Sequence, residues 1–260
     1  MPLRDRTVVV SGVGAGLGHQ VAATVVRDGG NAVLGARTEA NLAASAREID
    51  PGGTRTACRA TDITDEAQCE ALAALALERF GRIDAVVHVA AWDSCFGGLE
   101  DADFTTWRQV LDVNLLGTLR MTRACLPALK QRGGSVVVIG TQSAVAAPSQ
   151  VRQAAYAASK GALTSAMYSL ARELGPHRIR VNTVLPGWMW GPPVKAYVRM
   201  TARTEGVPED EVLGRLTGRM ALPELATDAD VAEAVAFLAS DRARAITGQS
   251  LLVNAGELMR

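Results

Sequence analysis

The sequence predicts a doubly wound α/β fold, a seven-stranded parallel sheet with helices on both faces. Three observations predict it. Short β-branched runs alternate with amphipathic stretches along all 260 residues, the pattern of repeated βαβ units. A glycine-rich turn follows the first run and opens the first amphipathic stretch. The fourth run, Asp84–Val89, is continuously apolar, as a parallel strand covered on both faces must be.

Thr7–Ser11 is the first expected strand. Gly12-Val13-Gly14-Ala15-Gly16-Leu17-Gly18 follows it, and Val21, Ala22, Val25 and Val26 then fall on one helical face. Strand, glycine turn and helix in this order let backbone N–H groups and a helix N-terminus face a pyrophosphate, so the expected fold is Rossmann-type and the expected ligand a dinucleotide. The alternative is a tight strand-to-helix turn without a ligand. Asn31–Ala36 is the second strand, ending at Arg37-Thr38 before a helix through Leu42, Ala46 and Ile49. A carboxylate ending this strand would bond a ribose 2′-hydroxyl, whereas an arginine accommodates a 2′-phosphate. Ala36 and Arg37 stand there, so NADP(H) is the favoured cofactor and NAD(H) the second choice. The competing reading makes Arg37 a helix-opening surface residue neutralised by Glu39.

Thr54–Ala60 reads as the third strand, leading into Thr61-Asp62-Ile63. Thr64 is the expected cap of the next helix, with Glu66 and Glu70 near its positive end. Phe104–Lys130 reads as one long helix containing Val113-Asn114-Leu115-Leu116-Gly117, in which Asn114 needs a buried partner. Ser135–Ile139 is the fifth strand and delivers Ser143 beyond its C-terminal end, where open α/β sheets bind ligands. A helix over Gln153–Gly175 follows, then the strand Ile179–Leu185 closing on Pro186-Gly187. From Trp188 to Met220, prolines and large apolar side chains mix with scattered charges, which suits a mobile cover over an apolar pocket. A surface excursion packed on itself or on another subunit is the alternative. Val231, Val235, Phe237 and Leu238 mark one more helix and Ser250–Val253 a last strand, giving seven strands and about six helices.

Composition excludes several classes of function. Lys and Arg together equal Asp and Glu at 27 each, so no net field recruits nucleic acid or an acidic membrane, and a small molecule is the expected partner. No uncharged apolar run reaches the length of a membrane span, and the segment before Thr7 is too short and too charged for a secretory signal. Cys58, Cys69, Cys95 and Cys125 lack the paired spacing of metal or redox sites and suit a reducing cytoplasm. The length suits one domain over residues 1–260, with a substrate-covering segment at about 188–222.

The chemistry concentrates at Tyr156-Ala157-Ala158-Ser159-Lys160. On a helix, Tyr156 and Lys160 stand at i and i+4, one turn apart. Bringing a phenol from pH 10 to the neutral range takes about 4 kcal/mol of preferential stabilisation of the phenolate, and a neighbouring cation acts in that direction. Such a tyrosine would exchange a proton with an alcohol or ketone oxygen held by Ser143.

These residues together resemble the short-chain dehydrogenase/reductase family over nearly the full chain. Ser11-Gly12-Val13-Gly14-Ala15-Gly16-Leu17-Gly18 matches the family's glycine motif, Asp62-Ile63 its adenine contact, and Asn114, Ser143, Tyr156 and Lys160 its catalytic four. Pro186-Gly187 and Ile246-Thr247-Gly248-Gln249 also match. The resemblance implies Tyr156 as general acid/base, with Lys160 lowering its pKa and holding the nicotinamide ribose. It further implies that Ser143 orients the substrate oxygen and that Asn114 anchors a water leading to Lys160. The implied cofactor wall comprises Gly12, Gly14, Ala15, Gly16, Leu17, Gly18, Arg37, Thr38, Asp62, Ile63, Ala90, Tyr156, Lys160, Pro186, Gly187 and Met189, with no metal.

Three departures stand out. His88-Val89-Ala90-Ala91 replaces the family's N-N-A-G, Gly191 lies near the place of its threonine after Pro-Gly, and Asn254-Ala255-Gly256 replaces D-G-G. His88 is expected to be a satisfied core histidine, or else to bridge backbone groups. The expected function is NADP(H)-dependent interconversion of a secondary alcohol and a ketone on an apolar small molecule. Gln153, three residues before Tyr156, makes a 3-oxoacyl-thioester reductase a second reading, and a nucleotide-binding sensor without turnover is a third. Phe104–Lys130 and Gln153–Gly175 are apolar on more than one face and so are expected to be buried in a homo-oligomer; the resemblance implies the same helices as subunit contacts, with a tetramer favoured over a dimer.

Overall fold

The computed structural model of the protein describes residues 1–147 and 151–260. Its elements follow in chain order β1 (Thr7–Ser11), α1 (Leu17–Arg27), β2 (Asn31–Ala36), α2 (Glu39–Ile49), β3 (Thr56–Ala60), α3 (Glu66–Phe80) and β4 (Ala85–His88). Next come α4 (Phe104–Leu111), a π turn (Asp112–Gly117), α5 (Thr118–Arg132), β5 (Gly134–Ile139), α6 (Ala154–Leu174) and β6 (Ile179–Pro186). The chain ends with α7 (Pro192–Glu205), α8 (Glu209–Thr217), α9 (Asp228–Ala239) and β7 (Ser250–Val253).

All seven strands pair in parallel in the order β3-β2-β1-β4-β5-β6-β7. Alternate side chains of each strand face opposite ways, which divides the core in two. Val8, Val10, Val87 and Val137 pack with α1 and α9 on one face. Val9, Val86, Val136 and Val138 pack with α3, α5 and α6 on the other. The chain crosses the sheet between β1 and β4, where the strand order reverses. The crevice outside the carboxyl ends there is where open α/β sheets bind ligands.

Nine α-helices stand among the described residues where about six are expected, and the structure departs from the sequence reading in three further places. Phe104–Lys130 is interrupted by the π turn at Asp112–Gly117 and runs on to Arg132. The cap of α3 is Asp65, whose side chain accepts from the Gln68 N–H, and not Thr64. A carboxylate accepts more strongly than a hydroxyl at a positive helix end, and Thr64 is drawn away to Asp62, to which both its N–H and its hydroxyl donate. The covering segment is regular, with α7 and α8 packed on each other around Val198, Val212, Leu216 and Leu225, so it holds a small core of its own. Among the described residues no helix is long and apolar enough to cross a membrane.

Candidate active site

Two cavities lie at the carboxyl ends of the central strands. The larger, about 1060 Å³, is bounded by Ser143, Tyr156, Gly187, Met189 and the inner side of the covering segment at Trp188, Tyr197 and Met200. The smaller, about 890 Å³, is bounded by Gly12, Gly14, Arg37, Thr38, Asp62, Ile63 and Ala90. Asp93, on the loop after β4, lines both.

The glycine turn serves two purposes that sequence alone cannot separate. Gly12 adopts φ +95°, and a Cβ there would lie 2.1 Å from the Ala90 nitrogen; a Cβ on Gly18 would lie 2.2 Å from the Gly12 oxygen. Those two glycines let β1, β4 and α1 approach one another. A Cβ on Gly14 would meet nothing within 4 Å, so the protein's own packing does not require glycine there, and the open space faces the smaller cavity. Helix α1 begins without a side-chain cap or an acidic residue in its first turn, which suits an anion at its N-terminus. Arg37 and Thr38 are exposed beside this cavity, and among the described residues Arg37 forms no ion pair, with Glu39 or otherwise. These features fit the phosphates of a dinucleotide. Ala15, Gly16, Leu17 and Gly18 line neither cavity; a Cβ on Gly16 would stand 3.4 Å from the Asp228 carboxylate. Pro186 ends β6, one residue before the wall at Gly187.

Helix α6 brings Tyr156 to the larger cavity and buries Lys160, which is 1% exposed. The Lys160 Nζ donates to the Ile139 carbonyl at 2.7 Å and lies 5.9 Å from the centre of the Tyr156 ring. The sequence predicts that Lys160 lowers the phenol's pKa; in the protein alone the opposite balance holds. Burial, seconded by the charge of Asp93, pushes the Tyr156 phenol well above its ordinary value against an opposing hydrogen bond with Thr141. The same burial pulls Lys160 down to about 8, with Asp93 acting against it. The physical reason is that desolvation favours the neutral form of each group. Ser143 sits in a short 3-10 turn capped by Thr141, whose hydroxyl accepts from the Ser143 N–H at 3.2 Å.

Asn114 lies in the π turn, fully buried, and lines neither cavity. Its Oδ1 accepts from the Trp92 N–H at 2.7 Å, while its Nδ2 donates to the Trp92 carbonyl at 3.0 Å and to the Ser159 hydroxyl at 2.9 Å. Ser159 in turn donates to the Tyr156 carbonyl. Asn114 therefore ties the loop after β4 to the turn of α6 that carries Tyr156. His88 is 1% exposed, with Nε2 2.8 Å from the Thr122 hydroxyl and Nδ1 3.4 Å from that of Ser11. Burial, with Lys160 nearby, pushes its pKa down to about 3, so the ring is neutral. It is a satisfied core histidine, not a bridge between backbone groups. Sequence reasoning missed Asp93 and Thr141; their one available signal was position, past a strand's carboxyl end.

Residues 12–257 match a family model described as enoyl-(acyl carrier protein) reductase. The chain is 34% identical to L-fucose dehydrogenase of Bos taurus over 251 residues, covering 96% of this chain and 88% of that one. The chain belongs to the short-chain dehydrogenase/reductase family. It is also 34% identical to L-rhamnose 1-dehydrogenase (NAD(P)(+)) of Azotobacter vinelandii over 262 residues, covering 98% of each. A solved short-chain dehydrogenase/reductase of Mycobacterium ulcerans superposes with a TM-score of 0.88 at 29% identity, covering 99% of this chain and 91% of that one. As a short-chain dehydrogenase/reductase the protein is an oxidoreductase acting on CH–OH groups. At its departure Gly191, a Cβ would lie 3.0 Å from the Asp228 carboxylate.

Proposed function

We propose that the protein is an NADP(H)-dependent oxidoreductase interconverting a secondary alcohol and a ketone on an apolar small molecule. The observation that carries this reading is Tyr156 and Ser143 sharing one wall of an apolar cavity that adjoins a second cavity built around Gly14 and Arg37. Arg37 and Thr38 would hold a 2′-phosphate, Asp62 and Ile63 the adenine, and the N-terminus of α1 the pyrophosphate. The nucleotide, when bound, supplies or accepts the hydride. In the reducing direction Tyr156, kept protonated by burial, donates its phenolic proton to the carbonyl oxygen while the Ser143 hydroxyl holds that oxygen. Lys160 stabilises the phenolate left behind, and Asn114 positions this turn of α6 through Ser159.

The apolar substrate is supported by Trp188, Val194, Tyr197 and Met200 over the cavity. A sugar is the second reading, favoured by the names of the relatives. Residues 1–260 act as one catalytic domain in this proposal. A homotetramer is supported by Leu116 and Tyr168, 45% and 52% exposed on the π turn and α6; light scattering showing a monomer at micromolar concentration would overturn it. The four cysteines are free thiols, in keeping with a cytoplasmic setting. Following NADPH consumption over a panel of bicyclic ketones, aldoses and 3-oxoacyl thioesters tests the reading. Turnover of the ketones with the highest kcat/KM is expected, and cofactor binding without turnover of any class would show the protein to be a sensor instead.

A further inference from the structure

The larger cavity is lined in part by a polar cluster drawn from three separate parts of the chain. Arg219, just past α8, donates to the Glu257 carboxylate, whose other oxygen accepts from Gln142 Nε2 at 2.9 Å. Gln142 Oε1 in turn accepts from Asn254 Nδ2 at 2.6 Å. Asn254 is buried, and the Glu257 side chain is 5% exposed. Every member is therefore oriented by its neighbour. Arg219, Gln142 and Glu257 line the cavity whose wall also carries Tyr156.

The cluster is anchored on both sides. The Ala255 carbonyl accepts from the N–H groups of Ala221 and Leu222, which ties the tail to the end of the covering segment. Gln142 adjoins Ser143, which ties it to the turn beside Tyr156. Among the described residues the Arg219 guanidinium donates only to Glu257, so most of its five N–H donors remain for a ligand. Because Glu257 cancels its charge, the cluster offers hydrogen-bond donors without a net positive field.

We propose that Arg219 and Gln142, held by Glu257, form a second substrate subsite that binds an uncharged acceptor oxygen other than the one that reacts. It rests on the ketone–alcohol reading of the same cavity and narrows it: the substrate is an apolar skeleton oxygenated at two separated positions. An acceptor oxygen placed on these donors is bound with charge assistance and fixes which end of the skeleton meets Tyr156.

The test uses the parent protein with NADP+ and calorimetric titration of decalone, the remote diketone decalindione, and decalone bearing a carboxylate at the remote position. Decalindione is expected to bind about tenfold more tightly than decalone, beyond the roughly twofold statistical advantage of two equivalent ends. The carboxylate is expected to gain no more than the diketone. In the R219M/E257Q double variant the diketone preference should collapse to the statistical factor while decalone is still bound. Equal affinity of the parent for decalone and decalindione overturns the subsite, and this arm needs no variant to fold. A carboxylate preferred over the diketone overturns its neutral character. Decalone that binds but is never reduced, with the diketone preference intact, counts against the catalytic reading and leaves the subsite standing.

Discussion

The Lys160 ammonium donates its 2.7 Å hydrogen bond to the Ile139 carbonyl at the end of β5, which makes it a buried cation satisfied by the sheet. Its pKa is pulled down to about 8 by burial, below its unfolded value of about 10.4. The folded state therefore holds its proton less firmly than the unfolded state. The resulting penalty is fully present below pH 8 and is relieved as pH rises toward 10.4. Lys160→Met should stabilise the fold at pH 7 by between about 1 and 3 kcal/mol, allowing for the bond lost to Ile139, and the gain should fade above about pH 10. Denaturant titration of both proteins across pH checks this; a variant that is less stable at pH 7 would show the bond to outweigh the desolvation.

Tyr156→Phe keeps the ring's packing and removes only the transferable proton. Turnover should be lost while NADPH affinity changes little. Activity retained within about tenfold, a barrier change of only about 1.4 kcal/mol, would end the proton-transfer role.

Arg37 decides cofactor choice in the proposed reading. A charge-assisted bond to a 2′-phosphate is worth roughly 1.5–3 kcal/mol, or about a ten- to hundredfold preference for NADPH. Arg37→Ala should erase most of that ratio, and added salt should weaken it in the parent. The check is kcat/KM with NADPH and NADH. An unchanged ratio in the variant would return Arg37 to the status of a surface residue.

Gly12 and Gly14 should behave as opposites. Gly12→Ala drives a methyl against the Ala90 backbone at 2.1 Å from a left-handed φ, so soluble, folded protein is not expected. Gly14→Ala meets nothing in the protein and should leave the melting temperature nearly unchanged while weakening dinucleotide binding at least tenfold. Thermal melts with and without NADPH separate the two, and unchanged NADPH affinity in Gly14→Ala would argue against the pyrophosphate's place.

His88 predicts acid sensitivity. Burial holds its folded pKa at about 3, below the unfolded value of about 6.5. The unfolded chain thus binds the extra proton between those limits, and stability falls as pH drops from about 6.5 toward 3. At pH 5 the loss is about 2 kcal/mol from this residue. His88→Asn removes the titrating group, so the stability difference between parent and variant should shift toward the variant as pH falls. Parallel stability curves between pH 7 and 5 would refute it.

Repeated strand and helix periodicity determined the fold class, because a parallel sheet buried on both faces requires apolar runs of the kind seen at Asp84–Val89 and β-branched runs such as Thr7–Ser11. Local spacing likewise placed Tyr156 and Lys160 on one helical face and Ser143 past the end of β5. Three things were decided only by tertiary structure. The tyrosine–lysine pair titrates according to its burial, a property of the packed core around α6 and not of i, i+4 spacing. Gly12 and Gly14 look alike in the sequence, yet only the approach of Ala90 from β4 separates a glycine required by packing from one that leaves space. The Arg219, Glu257 and Gln142 cluster joins positions 38 and 115 residues apart, contacts that only the folded backbone creates, since no local pattern encodes which distant side chains will share a desolvated wall.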